Sequence, residues 1–400
     1  MKNKFLFLGI AAALFIACES DDTSDIVIND NSITTTNNNS GGEEPPADTT
    51  VNLNGLYTAD LTLDSAIDYV VTGPVLMASG TTLTIPAGMT VRAEPIGVNA
   101  YIAIQQGARI NAVGTSSNPI VLTSNATSPS SGDWGGLVLC GRAPINSTPD
   151  GSEDIATSEV GALAFGGNTP TDNSGNVEYV RIEYAGGAID GNAELNGLSV
   201  YGVGSGTTID FVQIFEGSDD GFEFFGGTVN ASHLVVVNAE DDSIDWTEGF
   251  IGTLTDVYVQ HGNSHDKAFE CDGYNTDFSN EGGYFSAPTV TNVTVVGDGT
   301  DDDDEAIRLR AGTQGTFTNV VINNYAEGFD LDGDAGDNPT GQGVLDDLLN
   351  IVDVTFNNVT VTLKNDTGAV FNEADVISGV GNGTGTDIAT WGAGWTVGIN

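Results

Sequence analysis

Positive charge is what this chain has least of. Ten Lys and Arg face 56 Asp and Glu in 400 residues, a formal charge of −46. So acidic a surface repels phosphates, which excludes nucleic acid and a bare anionic membrane as direct partners and makes cations the natural counterpart. Cysteine is almost missing: beyond Cys18 there are only Cys140 and Cys271. One pair is no disulfide framework, and both sit in apolar strand patterns, where a thiol serves as a small hydrophobe. No GxSxG, HExxH, P-loop or CxxC occurs, so the familiar nucleophile-elbow, zincin, nucleotide and dithiol signatures are absent. Helix formers are scarce while 53 glycines and abundant Thr, Asn and Val favour strands and turns. The expected class is all-β.

A single long apolar run stands at the start, "MKNKFLFLGIAAALFIACES". Its basic beginning and Phe-Ile-Ala-Cys end read as a secretory signal rather than a fold element. It resembles a bacterial lipoprotein signal, which implies that residues 1–17 are removed and that Cys18 carries the lipid. Acyl chains add up in membrane affinity, so a lipid anchor would be firm. The "ESDD" after Cys18 resembles the surface-export tag of Bacteroidota lipoproteins and implies an outer-membrane, surface-exposed location. Residues 1–17 hold Lys2 and Lys4 and no acid, so the mature charge is 8 − 56 = −48. Residues 18–50 are polar and acidic and read as a disordered tether. Residues 51–400 read as one domain, with insertions near 141–175 and 272–287, the first carrying a short helix at "EDIATSEVGALAF".

Internal repetition organises that domain. The segments "YVRIEY", "FVQIFE", "LVVVNA", "DVYVQH", "NVTVVG", "NVVINN" and "NVTVTL" align on Val180, Val212, Val235, Val257, Val293, Val320 and Val359, at intervals of 32, 23, 22, 36, 27 and 39. The shortest intervals set the period, and the longer ones add loops. Each unit has a second strand of the form small-apolar-x-apolar: "GLSV", "GFEF", "SIDW", "AFEC", "AIRL", "GFDL". A unit of about 22 residues cannot bury its own apolar face, whereas stacked units share a continuous core. The architecture implied is a right-handed parallel β-helix, a pectate-lyase-like solenoid. A propeller blade needs about 40 residues. Residues 51–70 are expected to cap one end and "ATWGAGWTVGIN" the other.

Alternation along the second strand sends Phe222, Phe224, Ile244, Trp246, Phe269, Cys271, Ile307 and Leu309 inward. Facing outward, coil after coil, are Ser199 and Tyr201, Glu223 and Phe225, Asp245 and Thr247, Glu270 and Asp272, Arg308 and Arg310, Asp330 and Asp332. The preceding turns add Asp219 and Asp220, Asp241 and Asp242, His265 and Asp266, Asp303 and Asp304, and Glu327. This predicts a wall of carboxylates one coil apart, in which some must be protonated, paired or metal-bound. Only eight basic residues remain in the mature chain, and Lys267, Arg308 and Arg310 fall on this face. They could simply balance the acids and hold the coils in register.

Asp219, Asp220, Asp241 and Asp242, at equivalent turn positions, suit a hard cation, and calcium is the cofactor they point to. Glycoside hydrolysis needs two carboxyls about 5 Å apart for retention or about 6.5–9.5 Å for inversion. An acidic wall offers such pairs among Asp219, Asp220, Glu223, Asp245 and Glu270, and a lyase could use Lys267 or Arg308 as base. For ligand binding the face offers Tyr201 and Phe225 to stack on a sugar ring, with Asp245, Glu270, Asp272, Arg308 and Arg310 around them.

The runs "GDWGGLVLCGRAPIN" and "ELNGLSVYGVGSGTTIDFVQIFEGSDDGFEFFGGTVNASHLVVVNAEDDSIDW" resemble an uncharacterised family of surface β-helix lipoproteins from Bacteroidota and other marine bacteria. The resemblance spans roughly residues 68–400. It implies the fold and a surface location, and no established activity. "DDGFEFF" is also similar to the motif of polygalacturonase-type β-helix hydrolases, which would make Asp219 and Asp220 the catalytic acids. Catalytic motifs occur once, whereas this one recurs in several coils, which favours architecture or binding. The leading expectation is a lipid-anchored protein presenting an acidic, cation-binding groove to an extracellular glycan. The alternatives are a polysaccharide hydrolase or lyase on the same face, and an accessory subunit bound to an outer-membrane protein.

Overall fold

A computed structural model describes residues 50–147, 156–190, 193–276, 280–299, 305–333 and 339–399. Among them, twenty-two strands join into one continuous sheet by parallel pairing, the signature of coils stacked along an axis. The chain is a parallel β-helix, as its repeats require.

Two kinds of strand alternate. Short ones, Leu198–Tyr201, Phe222–Phe225, Ile244–Thr247 and Phe269–Asp272, pair coil to coil and continue into Glu305–Arg310. Longer ones, such as Gly175–Glu183, Thr208–Phe215, Asn230–Val237, Thr253–Gln260 and Thr289–Val296, form the other walls. Each of these bends at one residue of positive φ, and Gly315–Asp332 and Leu349–Asp366 bend at two: Tyr179, Phe211, His233, Asp256, Asn292, Asn319 with Asn324, and Asp353 with Asn358 lie between +50° and +61°. That bend turns one strand into two sides of the coil. Asn, Asp and His tolerate it readily, but bulky aromatics rarely adopt it. Tyr179 and Phe211 do so within a stack: the Tyr179 ring lies 4.2 Å from Phe211 at 4°, and Phe211 lies 4.0 Å from His233 at 5°.

Inside runs one apolar core, with Phe222, Phe224, Ile244, Trp246, Phe269, Cys271, Ile307 and Leu309 all facing it as alternation predicts. The repeat alignment needs two corrections. Val212 stands opposite Leu234, not Val235, and Val320 opposite Val354, while Val359 faces Tyr325. In "LVVV" both faces are apolar because both are covered, so alternation gives no register there. Val235 and Val237 point away from the main core into a second cluster with Trp395.

That cluster corrects the expected C-terminal cap. The tail runs back along the side of the stack. Asn319 takes the N–H groups of Thr384 and Gly385, Asp256 takes the Thr386 hydroxyl, and Gln213 exchanges two hydrogen bonds with Val397. The tail thus straps several coils together. At the other end, Thr50–Tyr57 pairs in parallel with Asp68–Met77, so it is the first coil itself. The helix expected in the 141–175 insertion is instead, among its described residues, a two-stranded antiparallel hairpin, Ala156–Thr157 with Ala164–Phe165. Gly161 and Ala162 take positive φ at its tip, which suits a turn and not a helix.

Candidate functional site

Each turn before a short strand is built by close approach. A Cβ on Gly221 would lie 2.5 Å from the Ser243 carbonyl oxygen, which explains the small residue opening the motif. The acid just before it staples coils: Asp220 Oδ1 accepts the Asp242 N–H at 3.0 Å, and Asp242 Oδ1 accepts the Lys267 N–H at 2.6 Å. The doubled acids therefore have an architectural task, main-chain capture in the next coil. Beyond them, strand pairing lines up Ser199, Glu223, Asp245, Glu270, Arg308, Asp330 and Lys364 in one outward ladder.

The upper part of that ladder opens as a cleft of ≈ 330 Å³, lined by Asp219, Asp220, Glu223, Asp241, Asp242, Asp245 and Glu270 with Glu159, Glu194 and Asn196. Nine of these ten are acids. Burial is the largest influence on Asp219, Asp220, Glu223, Asp241, Asp242 and Asp245, and neighbouring carboxylates add to it. Together they push Asp219 up to about 8 and raise Asp220, Glu223, Asp242 and Asp245 well above the carboxylate range. In metal-free protein Asp219 is largely protonated at neutral pH. Four overlapping trios have oxygens within 4.8 Å of one another: Glu194, Asp219 and Asp241; Asp220, Asp241 and Asp242; Asp220, Glu223 and Asp245; Asp242, Asp245 and Glu270. Such oxygen sets match what a hard divalent cation takes.

Lower down, the chain supplies its own cations. Arg310 reaches Asp272 and Glu270, each at 2.5 Å. Arg308 clasps Asp332, through Nε at 2.7 Å. Lys364 lies between Glu327 at 3.2 Å and Asp330 at 3.5 Å. Lys267 pairs with Asp266, and with Glu270 at 3.3 Å. Arg310→Ala should cost about 2 kcal/mol of stability, because it strands two largely buried carboxylates. A denaturation midpoint measures it, and an unchanged midpoint would mean those acids are already neutral.

Of the residues singled out from sequence, the seven cleft acids converge, with Lys267 at their edge. Arg308, Arg310 and Asp272 lie beside the cleft in ion pairs. Tyr201 and Phe225 do not present a sugar platform. Their rings stack 4.0 Å apart and are buried with Phe165, Val160 and Leu163 of the insertion hairpin. Alternation sends them outward, but it cannot say that a distant segment covers that face. Cys140 joins this cluster, its thiol pushed up to about 12 by burial. His261, buried beside His265, is lowered to about 3 and stays neutral. Cys18, Asp303 and Asp304 lie outside the described residues.

Sequence reasoning missed Asn196, Glu194, Glu159 and Lys364. Asn196 was findable, since "NGLSV" aligns with "DGFEF" and puts it level with Asp220. Glu194 and Glu159 come from hairpins outside the repeat, where no periodic signal exists.

The family described as pectate-lyase like beta helix domain matches residues 55–396. Among solved structures, the catalytic unit of a thermostable GH87 alpha-1,3-glucanase from Streptomyces thermodiastaticus strain HF3-3 is similar at a TM-score of 0.38, with 11% identity over 82% of this chain. The chain spans 66% of that structure's length. A score so low carries no activity across. No curated protein matches the chain.

Proposed function

The chain belongs to the pectate-lyase-like β-helix domain family, and from that premise we propose that it is a carbohydrate-binding β-helix whose acidic cleft is loaded with calcium. The observation that supports this most is the contrast along one ladder. Glu223 and Asp245 have no basic partner among the described residues, whereas the rungs below contain Arg308 and Lys364. The chain sets its own Arg and Lys against the lower acids, where Glu305, Glu327 and Asp330 also converge, and leaves the upper ones for an ion from solution. A bound cation keeps free coordination positions for sugar hydroxyls or carboxylates, and it removes the repulsion that so acidic a surface would exert on an anionic glycan. Anchored through Cys18, with residues 18–50 as tether, the cleft would stand at the outer-membrane surface. An outer-membrane protein remains the alternative partner, with the 272–287 insertion as contact.

Calcium should raise the melting temperature of EDTA-treated protein by roughly 5 °C at saturating concentration. Affinity electrophoresis in neutral and anionic polysaccharide gels should show retardation with calcium and none with EDTA. An unchanged melting temperature and unretarded migration would remove the proposal. The hydrolase or lyase reading is favoured by one feature, the protonated Asp219 beside further carboxyls, which is general-acid chemistry. Release of reducing ends or unsaturated uronates, lost in Asp220→Ala and kept in Asp242→Ala, would establish it instead.

A further inference from the structure

The cleft acids form overlapping sets at two levels, a rim and a floor, which the trio of Asp220, Asp241 and Asp242 links. Asp219 and Asp241, the first of each doubled Asp, meet Glu194 at the rim. Asp220 and Asp242, the second, turn to the floor. There Asp220 groups with Glu223 and Asp245, and Asp242 with Asp245 and Glu270. The backbone origins differ as well. Rim groups come from two turns and the hairpin strand Ala193–Glu194, whereas floor groups combine the turns with rungs of the short strands.

The floor is unfinished as a set of hydrogen-bond acceptors. Asp220 and Asp242 are 7% and 5% exposed. Each takes a single main-chain N–H on Oδ1, and among the described residues no donor reaches the other oxygen. Asp245 Oδ1 is sealed from solvent and meets no donor. Glu270 is occupied by Lys267 and Arg310. Seven carboxylates, Glu194, Asp219, Asp220, Glu223, Asp241, Asp242 and Asp245, have no basic partner at ion-pair distance among the described residues. One divalent ion would displace protons from only part of this set.

We propose that the cleft holds two divalent cations in unequal positions: a floor ion on Asp220, Glu223 and Asp245, and a rim ion on Glu194, Asp219 and Asp241. This rests on the cation-loaded reading of the cleft. The floor ion completes acceptors on two successive coils and belongs to the stack. The rim ion, held from the turns and the hairpin strand, keeps positions open for ligand oxygens. Both sites offer only oxygen, which suits calcium over softer metals.

Calcium alone, titrated calorimetrically into metal-free full-length protein and counted by native mass spectrometry, should give two bound ions. Glu194→Gln should keep one ion and the calcium-induced rise in melting temperature, and lose calcium-dependent retardation in polysaccharide gels. Asp245→Asn should also keep one ion but lose the rise, with Asp220→Asn as the substitute if that variant does not fold. Wild type binding no calcium would overturn the cation-loaded reading itself. One ion in wild type would leave that reading standing and overturn the two-ion arrangement. Loss of both ions in Glu194→Gln, with circular dichroism unchanged, would overturn the division into rim and floor.

Discussion

Trp395→Ala lowers the unfolding free energy by about 3–5 kcal/mol, the largest loss expected from one substitution. Trp395 is wholly buried although it lies near the chain end. Its ring meets Tyr179 and Phe211 edge-on at 5.8 and 5.9 Å. Its Nε1 donates to the Trp391 carbonyl at 2.8 Å, and its own carbonyl accepts from Arg181 at 3.0 Å. The ring holds down the positive-φ stack of Tyr179, Phe211 and His233, where two aromatics occupy a conformation that costs about 1–3 kcal/mol each. Loss of the strap therefore releases strain in coils far away in sequence. Hydrogen exchange should quicken together at residues 179–181, 211–213 and 233–237, and the denaturation midpoint should fall. A tail that merely capped the last coil would change exchange only near Leu349–Asp366. Val370→Ala, at a side chain 92% exposed, should stay within about 0.5 kcal/mol of wild type.

In EDTA the protein should lose stability as pH rises from about 5 to 8, contrary to the habit of acid-labile proteins. Burial first, and neighbouring carboxylates second, push Asp219 up to about 8 and Asp330 to about 7. Burial pushes Glu248 to about 7 and Asp272 to about 6, against the pull of Arg310 on the latter. Each folded-state value lies above that of the unfolded chain, near 4. Between those limits the folded form holds protons that the unfolded form has released, so stability falls as pH rises through that range. The melting temperature should drop by roughly 5–10 °C across that range. Calcium should cancel the part of the drop that comes from Asp219 and its cleft neighbours, because it replaces their protons and binds more tightly as those carboxylates ionise. Differential scanning fluorimetry at pH 5 and 8, with EDTA or millimolar calcium, measures both arms. A flat profile in EDTA would mean the acids are compensated in some other way.

The sequence by itself determined the coil. Repeats of about 22 residues cannot close a core singly, so stacking followed. Period-two alternation then placed Phe222, Phe224 and Trp246 inside and Glu223, Asp245 and Glu270 on one outer wall. Equivalent residues in a parallel stack have nowhere to go but above one another, and for that reason the seven cleft acids were legible without coordinates. Tertiary structure decided what lies over the outer walls. Periodicity reports the direction of a side chain and is silent on whether a remote segment covers it. So Tyr201 and Phe225 went under the insertion hairpin, Val235 under the C-terminal strap, and Glu194 and Glu159 joined the cleft from loops that carry no repeat. Coverage depends on contacts between residues far apart in the chain, and no local pattern encodes those.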